Sequence, residues 1–169
     1  MNKPNSTPMT LTGKKMLEER LEYLIKVERE QIKNTLAEAR AMGDLRENAE
    51  YHAAKERQSL NEGKIKEMQY NLSVAQVIDV STLNGPDIKF GATVTIYDLA
   101  KEKSVTYQIV GSDEAQIKTN TTNTTSKIPF TSPLAKALIG KQQGDTVIVD
   151  APKGKIEYEI EKVEYKEYL

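Results

Sequence analysis

Three acids, Asp44, Glu47 and Glu50, recur at intervals of three within residues 43–51, Gly-Asp-Leu-Arg-Glu-Asn-Ala-Glu-Tyr. This stretch is the one break in a long, charged, helix-favouring run. If one helix ends at Met42 and a second opens near Leu45, residues three apart share a face. Asp44 and Glu47 then present two carboxylates to one ligand at the far end of a hairpin. The same spacing is also a capping box, in which each side chain bonds a free backbone N–H of the new helix. Spacing alone leaves both readings open.

The flanks predict what would carry these acids. The chain turns helical from Thr10 or Thr12, with Thr12 as N-cap, and Leu17, Leu21, Leu24, Ile25, Ile32, Leu36 and Ala39 form a stripe interrupted by Glu28. Beyond the break, Ala49, Ala53, Ala54, Leu60, Ile65, Met68, Leu72 and Ala75 repeat the pattern, the last four as a 3-4 seam. Gly63 is expected to mark close approach of the partner helix. Two helices of about thirty residues make an antiparallel pair roughly 45 Å long. Alanines at 37, 39, 41, 49, 53 and 54 thin its far end.

Lys26, Arg29, Lys33 and Arg40 are spaced to share one helix face leading to the break. They suit either phosphate contact or a solvated flank paired with Glu22 or Glu30. Tyr51 and His52 suit stacking on a displaced base or packing of the hairpin end.

Composition narrows the classes. The 169 residues carry a net charge of -1, with basic and acidic side chains nearly balanced in each half, which argues against a strongly basic nucleic-acid-binding domain. Mean hydropathy is -0.59, and no run is apolar enough to span a membrane. There is no cysteine, hence no disulfide framework or thiol chemistry, which suits the cytoplasm. A single histidine, His52, leaves no partner for a histidine-based metal site or catalytic triad. Residues 1–9 read as a loose tail.

Composition shifts near Gln76, beyond which lie most of the aromatics, glycines and prolines. Alternating runs at 92–97, 104–110, 145–149 and 155–163 predict strands, and Ser132-Pro133 opens one short helix ending before Gly140. Residues 120–126, Asn-Thr-Thr-Asn-Thr-Thr-Ser, read as a polar loop. The fold class is α+β: a helical hairpin over 10–79, then a small antiparallel sheet domain with one short helix over 80–169.

Several strings in one order resemble the bacterial Gre family of transcript cleavage factors, of the GreA type. They are Ala-Glu-Ala-Arg at 37–40, Gly-Asp-Leu-Arg-Glu-Asn-Ala-Glu-Tyr-His-Ala-Ala-Lys-Glu at 43–56, Ala-Gln-Val-Ile-Asp at 75–79, Phe-Gly-Ala-Thr-Val at 90–94, Tyr-Gln-Ile-Val-Gly at 107–111, and Ser-Pro-Leu-Ala-Lys-Ala-Leu-Ile-Gly-Lys at 132–141. The likeness spans about residues 9–165. It implies a coiled-coil hairpin that enters the secondary channel of bacterial RNA polymerase, and an FKBP-like domain, within residues 80–169, that docks on the enzyme. It also implies that the family's two tip acids, Asp44 and Glu47 here, help hold a second Mg²⁺ so that the polymerase cuts the 3′ end of backtracked nascent RNA. Arg46 and Tyr51 then join the basic stripe as candidate RNA or channel contacts.

The chain departs from the family at Arg46, commonly serine, at Met42, commonly polar, at Gln116, often acidic, and in the 120–126 loop. Mg²⁺ takes near-octahedral oxygen ligands and keeps waters, so two carboxylates would not hold it tightly alone. The expected protein is a monomer with no tightly bound cofactor, acting in trans and not itself an enzyme. The alternatives are a channel-blocking inhibitor of the same fold, an FKBP-type prolyl isomerase or chaperone, and a coiled-coil holdase or adaptor.

Overall fold

A computed structural model describes residues 5–118 and 125–166. Its elements are β1 (Thr7–Thr10), α1 (Leu11–Tyr23), a π-helical turn (Leu24–Glu28), α2 (Arg29–Ala41), α3 (Ala49–Ser73), β2 (Ala75–Ile78), β3 (Thr93–Asp98), β4 (Lys103–Val110), α4 (Ser112–Gln116), β5 (Ser126–Pro129), α5 (Pro133–Leu138), β6 (Thr146–Ala151) and β7 (Gly154–Glu164). The class is α+β, with a helical hairpin ahead of a curled sheet. Contacts divide the chain into residues 17–74 and a second unit made of 1–16 with 75–169. Among the described residues no helix is long and apolar enough to cross a membrane.

Strand β1 overturns part of the expected tail. It pairs in parallel with β2, Thr7 opposite Ala75 and Thr10 opposite Ile78, and buries Met9. Because the strand runs to Thr10, the helix opens one residue later and Thr10, not Thr12, caps it, its hydroxyl oxygen accepting the Gly13 N–H at 2.9 Å. The same hydroxyl donates to Glu114 Oε2 at 2.5 Å, and Lys127 Nζ donates to Glu114 Oε1 at 2.8 Å. Glu114, 2% exposed, is therefore a buried carboxylate with its charge compensated. A Cβ at position 13 would come within 2.6 Å of Glu114 Oε2, so any larger residue there would have to displace the Glu114 side chain.

The larger sheet has the order β5-β4-β3-β7-β6. All its pairs are antiparallel except β4 with β5, so the expected purely antiparallel sheet gains one parallel edge strand. Thr95 faces Lys162 while Ile96 faces Ile160, leaving Glu161 as the extra residue of a β-bulge that bends β7. One face is closed by α5, capped by Ser132, whose Oγ accepts the Ala135 N–H at 3.2 Å. Val94, Ile96, Ile109, Ala135, Leu138 and Ile160 form a continuous apolar core there. Each large member contributes about 1.5–3 kcal/mol on burial. Tyr165 closes one end, its hydroxyl donating to the Asp87 carbonyl at 2.5 Å and accepting the Lys89 N–H at 3.1 Å. Burial raises its pKa.

The hairpin has a thinner seam. Leu17, Leu24, Ile32, Leu36 and Ala39 on the first arm and Ala54 and Ile65 on the second are buried. Several sequence expectations fail here. Leu60 is 61% exposed, and its neighbour Asn61, 4% exposed, occupies the seam. The heptad of Ile65, Met68 and Leu72 extends back by four to position 61, not 60. Gly63 has nothing within 4 Å of an added Cβ, so no close approach of a partner helix explains it. Ala75, expected as the last seam residue, begins β2.

Candidate functional site

The tip begins where α2 runs out at Ala41. Met42 closes the helix with a tightened bond, its N–H donating to the Ala39 carbonyl at 3.2 Å. Gly43 comes next at φ 142, a conformation that L side chains rarely adopt, so the chain turns there without strain. Asp44 Oδ1 then accepts the Arg46 N–H at 3.0 Å, a local turn that holds the carboxylate outward. Residues 42–47 are all exposed. The Arg46 carbonyl lies 3.2 Å from His52 Nε2, which ties the loop back onto α3.

The second helix starts at Ala49, not near Leu45, and Asn48 caps it. Asn48 Oδ1 accepts the Tyr51 N–H at 3.1 Å, while its Nδ2 donates to the Ala39 carbonyl at 2.6 Å. One side chain thus satisfies a free donor of the new helix and adds a second donor to the Ala39 carbonyl, which already takes the Met42 N–H at the end of the old one. This disposes of the capping box: neither Asp44 nor Glu47 caps α3. It also removes the helical basis for their pairing, because both lie in turns and not on one helix face. Glu50 alone of the three acids is helical, exposed in the first turn of α3 where the helix dipole favours a negative charge. Asn48 was legible as an asparagine just before the alanine-rich run, a signal that the acid spacing obscured.

The stripe is less uniform than its spacing. Lys26 pairs with Glu22 one turn back, both well exposed. Arg29 makes a two-pronged bond across the hairpin, Nε and Nη2 to the Glu62 carboxylate at 2.8 and 3.0 Å. That bond holds the Glu62 pKa below, and the Arg29 pKa above, their ordinary values. Lys33 is exposed. Arg40 lies over the Tyr51 ring at 5.8 Å. The π turn adds a residue to the helix, rotating the residues beyond it by roughly 100°. Lys26, inside the turn, is therefore out of phase with Arg29, Lys33 and Arg40, which share a face of α2. Tyr51 is half-buried against Ile32, Leu36 and Ala54, with His52 edge-on at 5.8 Å between centroids. Among the described residues no group of three or more histidine or acidic side chains is arranged to hold a metal. The 120–124 part of the polar loop lies outside the described residues, Ser126 opens β5, and Gln116 is the exposed last residue of α4.

The comparisons with known proteins cover both units. Residues 7–77 match the family model described as transcription elongation factor, N-terminal, and residues 83–165 match transcription elongation factor, GreA/GreB, C-term. The chain is 54% identical over 159 residues to transcription elongation factor GreA of Xylella fastidiosa strain M23, covering 94% of this chain and 97% of that one. Against transcription elongation factor GreA of Methylococcus capsulatus the figures are 53% over 162 residues, 95% and 99%. The solved structure of GreA factor homolog 1 of Thermus thermophilus is 26% identical, covers 95% of this chain and 99% of that chain, and superposes with a TM-score of 0.42. With both family models matched in order along nearly the whole chain, the protein belongs to the GreA/GreB family of transcription elongation factors.

Proposed function

We propose that this protein rescues arrested transcription by carrying Asp44 and Glu47 into the secondary channel of bacterial RNA polymerase, where they stimulate cleavage of backtracked nascent RNA at its 3′ end. The observation that carries this reading is the division of labour at the tip. Asn48 does the capping, so the two carboxylates stay exposed and are not needed to start α3. Family membership supplies the context.

The acids fit a supporting role toward Mg²⁺. Asp44 commits Oδ1 to the Arg46 N–H and keeps its other oxygen, and Glu47 is exposed. Two such carboxylates match the one or two that Mg²⁺ commonly takes from protein, with waters and phosphate oxygens filling the remaining positions. A second Mg²⁺, when bound, supplies charge stabilisation and an activated water for phosphodiester cleavage. The chain supplies the oxygens, their orientation and the rigid arm behind them, and the bond is cut in the polymerase's own active site. The protein is then no enzyme by itself, binds no cofactor tightly, and acts as a cytoplasmic monomer. Arg29, Lys33 and Arg40 on one face of α2, with Lys26, Arg46 and Tyr51 nearby, are proposed to meet RNA or channel phosphates, and the sheet domain to dock on the enzyme.

An isomerase function has little support. The pocket of such an isomerase is built from aromatic side chains, and the sequence has no tryptophan and only two phenylalanines. The intact acids separate the proposal from a channel-blocking inhibitor. The deciding experiment is a transcript-cleavage assay on a stalled complex. Shortened RNA with the parent, and none with Asp44→Asn, is expected; a parent that binds and only inhibits would sink the proposal.

A further inference from the structure

The buried stripe of the first arm does not keep a helical rhythm. Leu17 to Leu24 is seven residues, but Leu24 to Ile32 is eight. A regular helix would bring Gln31, which is exposed, into the seam in place of Ile32. The π turn absorbs the extra residue, the Arg29 N–H reaching back five residues to the Leu24 carbonyl. That carbonyl receives a second donor from the other arm, Asn61 Nδ2 at 3.2 Å.

Asn61 stands in the seam between Ala54 and Ile65, in a file that is otherwise apolar at its buried positions. Its Oδ1 is buried with no acceptor role filled among the described residues, so the residue costs stability where a leucine would add it. Two cross-hairpin ion pairs bracket the layer: Arg57 Nη2 to Glu28 at 2.7 Å, and Arg29 to Glu62. A polar group buried in a coiled-coil seam selects one register, since any other setting leaves it facing apolar side chains.

We propose that Asn61 is a positioning residue for the tip. By donating to the Leu24 carbonyl that the π turn presents, it holds the eight-residue step in one place and seats α2 on α3 in a single register and phase. The loop at residues 42–48 then carries Asp44 and Glu47 in one orientation. A setting in which the turn moves along the arm would slide and rotate α2 by roughly 1.5 Å and 100° per residue. The link to catalysis rests on the function proposed above; the register claim does not.

The test uses the full chain. Because it has no cysteine, cysteines introduced at Asn34 and Ala53, exposed positions on α2 and α3, carry the only two spin labels. The parent should show one narrow inter-label distance. Asn61→Leu should keep or gain thermal stability yet show a second distance population, and in the unlabelled protein it should keep its competition for polymerase. Its stimulated cleavage should fall about tenfold, since an ångström of misplacement can cost up to about a hundredfold. Leu60→Asn, on the exposed face, should change neither readout. A single unchanged distance in Asn61→Leu overturns the register role, whatever the polymerase does. A second population with full stimulation overturns the link to the tip. Should Asn61→Leu not fold, Asn61→Ala receives the same two measurements. The distances need no polymerase, so they separate failure here from failure of the cleavage function, which Asp44→Asn tests by itself.

Discussion

The sheet unit and the hairpin both contain ion pairs, but they place them differently. Glu114 and Lys127 are 2% and 19% exposed, and the carboxylate also receives the Thr10 hydroxyl. Arg29 and Glu62 are 42% and 40% exposed on the flank of a narrow seam. The first pair lies beside a core whose largest members are fully buried; the second bridges two helices that share little apolar surface. A buried pair is costly to break because the surviving charge is stranded, whereas an exposed one is readily resolvated. The sheet unit thus gains integrity from its polar groups, while the hairpin's polar groups chiefly set alignment. The exposed acids at its end, Asp44 and Glu47, cap no helix and are free to serve function.

Four experiments press on that contrast. Lys127→Ala strands the Glu114 carboxylate and should cost the sheet unit about 3–5 kcal/mol in denaturant unfolding. A loss no larger than that of an exposed pair would erase the difference between the regions. Asn48→Ala removes the α3 cap and the bond to the Ala39 carbonyl, and should lower hairpin stability by about 1–2 kcal/mol. Amide exchange at the start of α3 should report it, with little change in the sheet.

Glu62→Gln should have a smaller effect, and one that depends on pH. Glu62 is held below its ordinary value of 4.5 by Arg29. Its contribution is therefore full above that value and is lost as pH falls through the lower folded value. Circular dichroism should show parent and variant differing at neutral pH and converging on acidification; a gap that widens in acid would reverse the assignment. Smallest in stability, and largest in function, are Asp44→Ala and Glu47→Ala. Melting temperatures should match the parent, polymerase binding should persist, and stimulated cleavage should disappear. If cleavage falls only in proportion to lost helicity, the acids are structural.

Salt dependence sharpens the stripe. Replacing Lys26, Arg29, Lys33 and Arg40 with glutamine should flatten the log-log salt slope of stimulation by roughly one unit per lost phosphate contact. An unchanged slope would confine the stripe to hairpin alignment, as the Arg29–Glu62 bond already suggests for one member.

Much of the architecture was legible because it is written in local periodicity. The break at Gly43, the helical arms, the runs that became β3, β4, β6 and β7, and the Ser132-Pro133 start of α5 each arise from a few adjacent residues. The exposed acids at the tip were legible for the same reason. Other features depend on distant partners. Thr7–Thr10 is a strand only because residues 75–78 return beside it. Asn48 displaced Asp44 as cap because it also reaches Ala39, at the end of the other arm. The choice of Asn61 over Leu60 for the seam, and of a π turn to carry an eight-residue step, was settled by two helices packing on each other. Sequence alone determined which segments could be helix or strand, since that depends on backbone preference and spacing within a few residues. Tertiary structure decided phase, register and capping, since each is a competition among near-equal local options that only contacts from elsewhere in the chain can break.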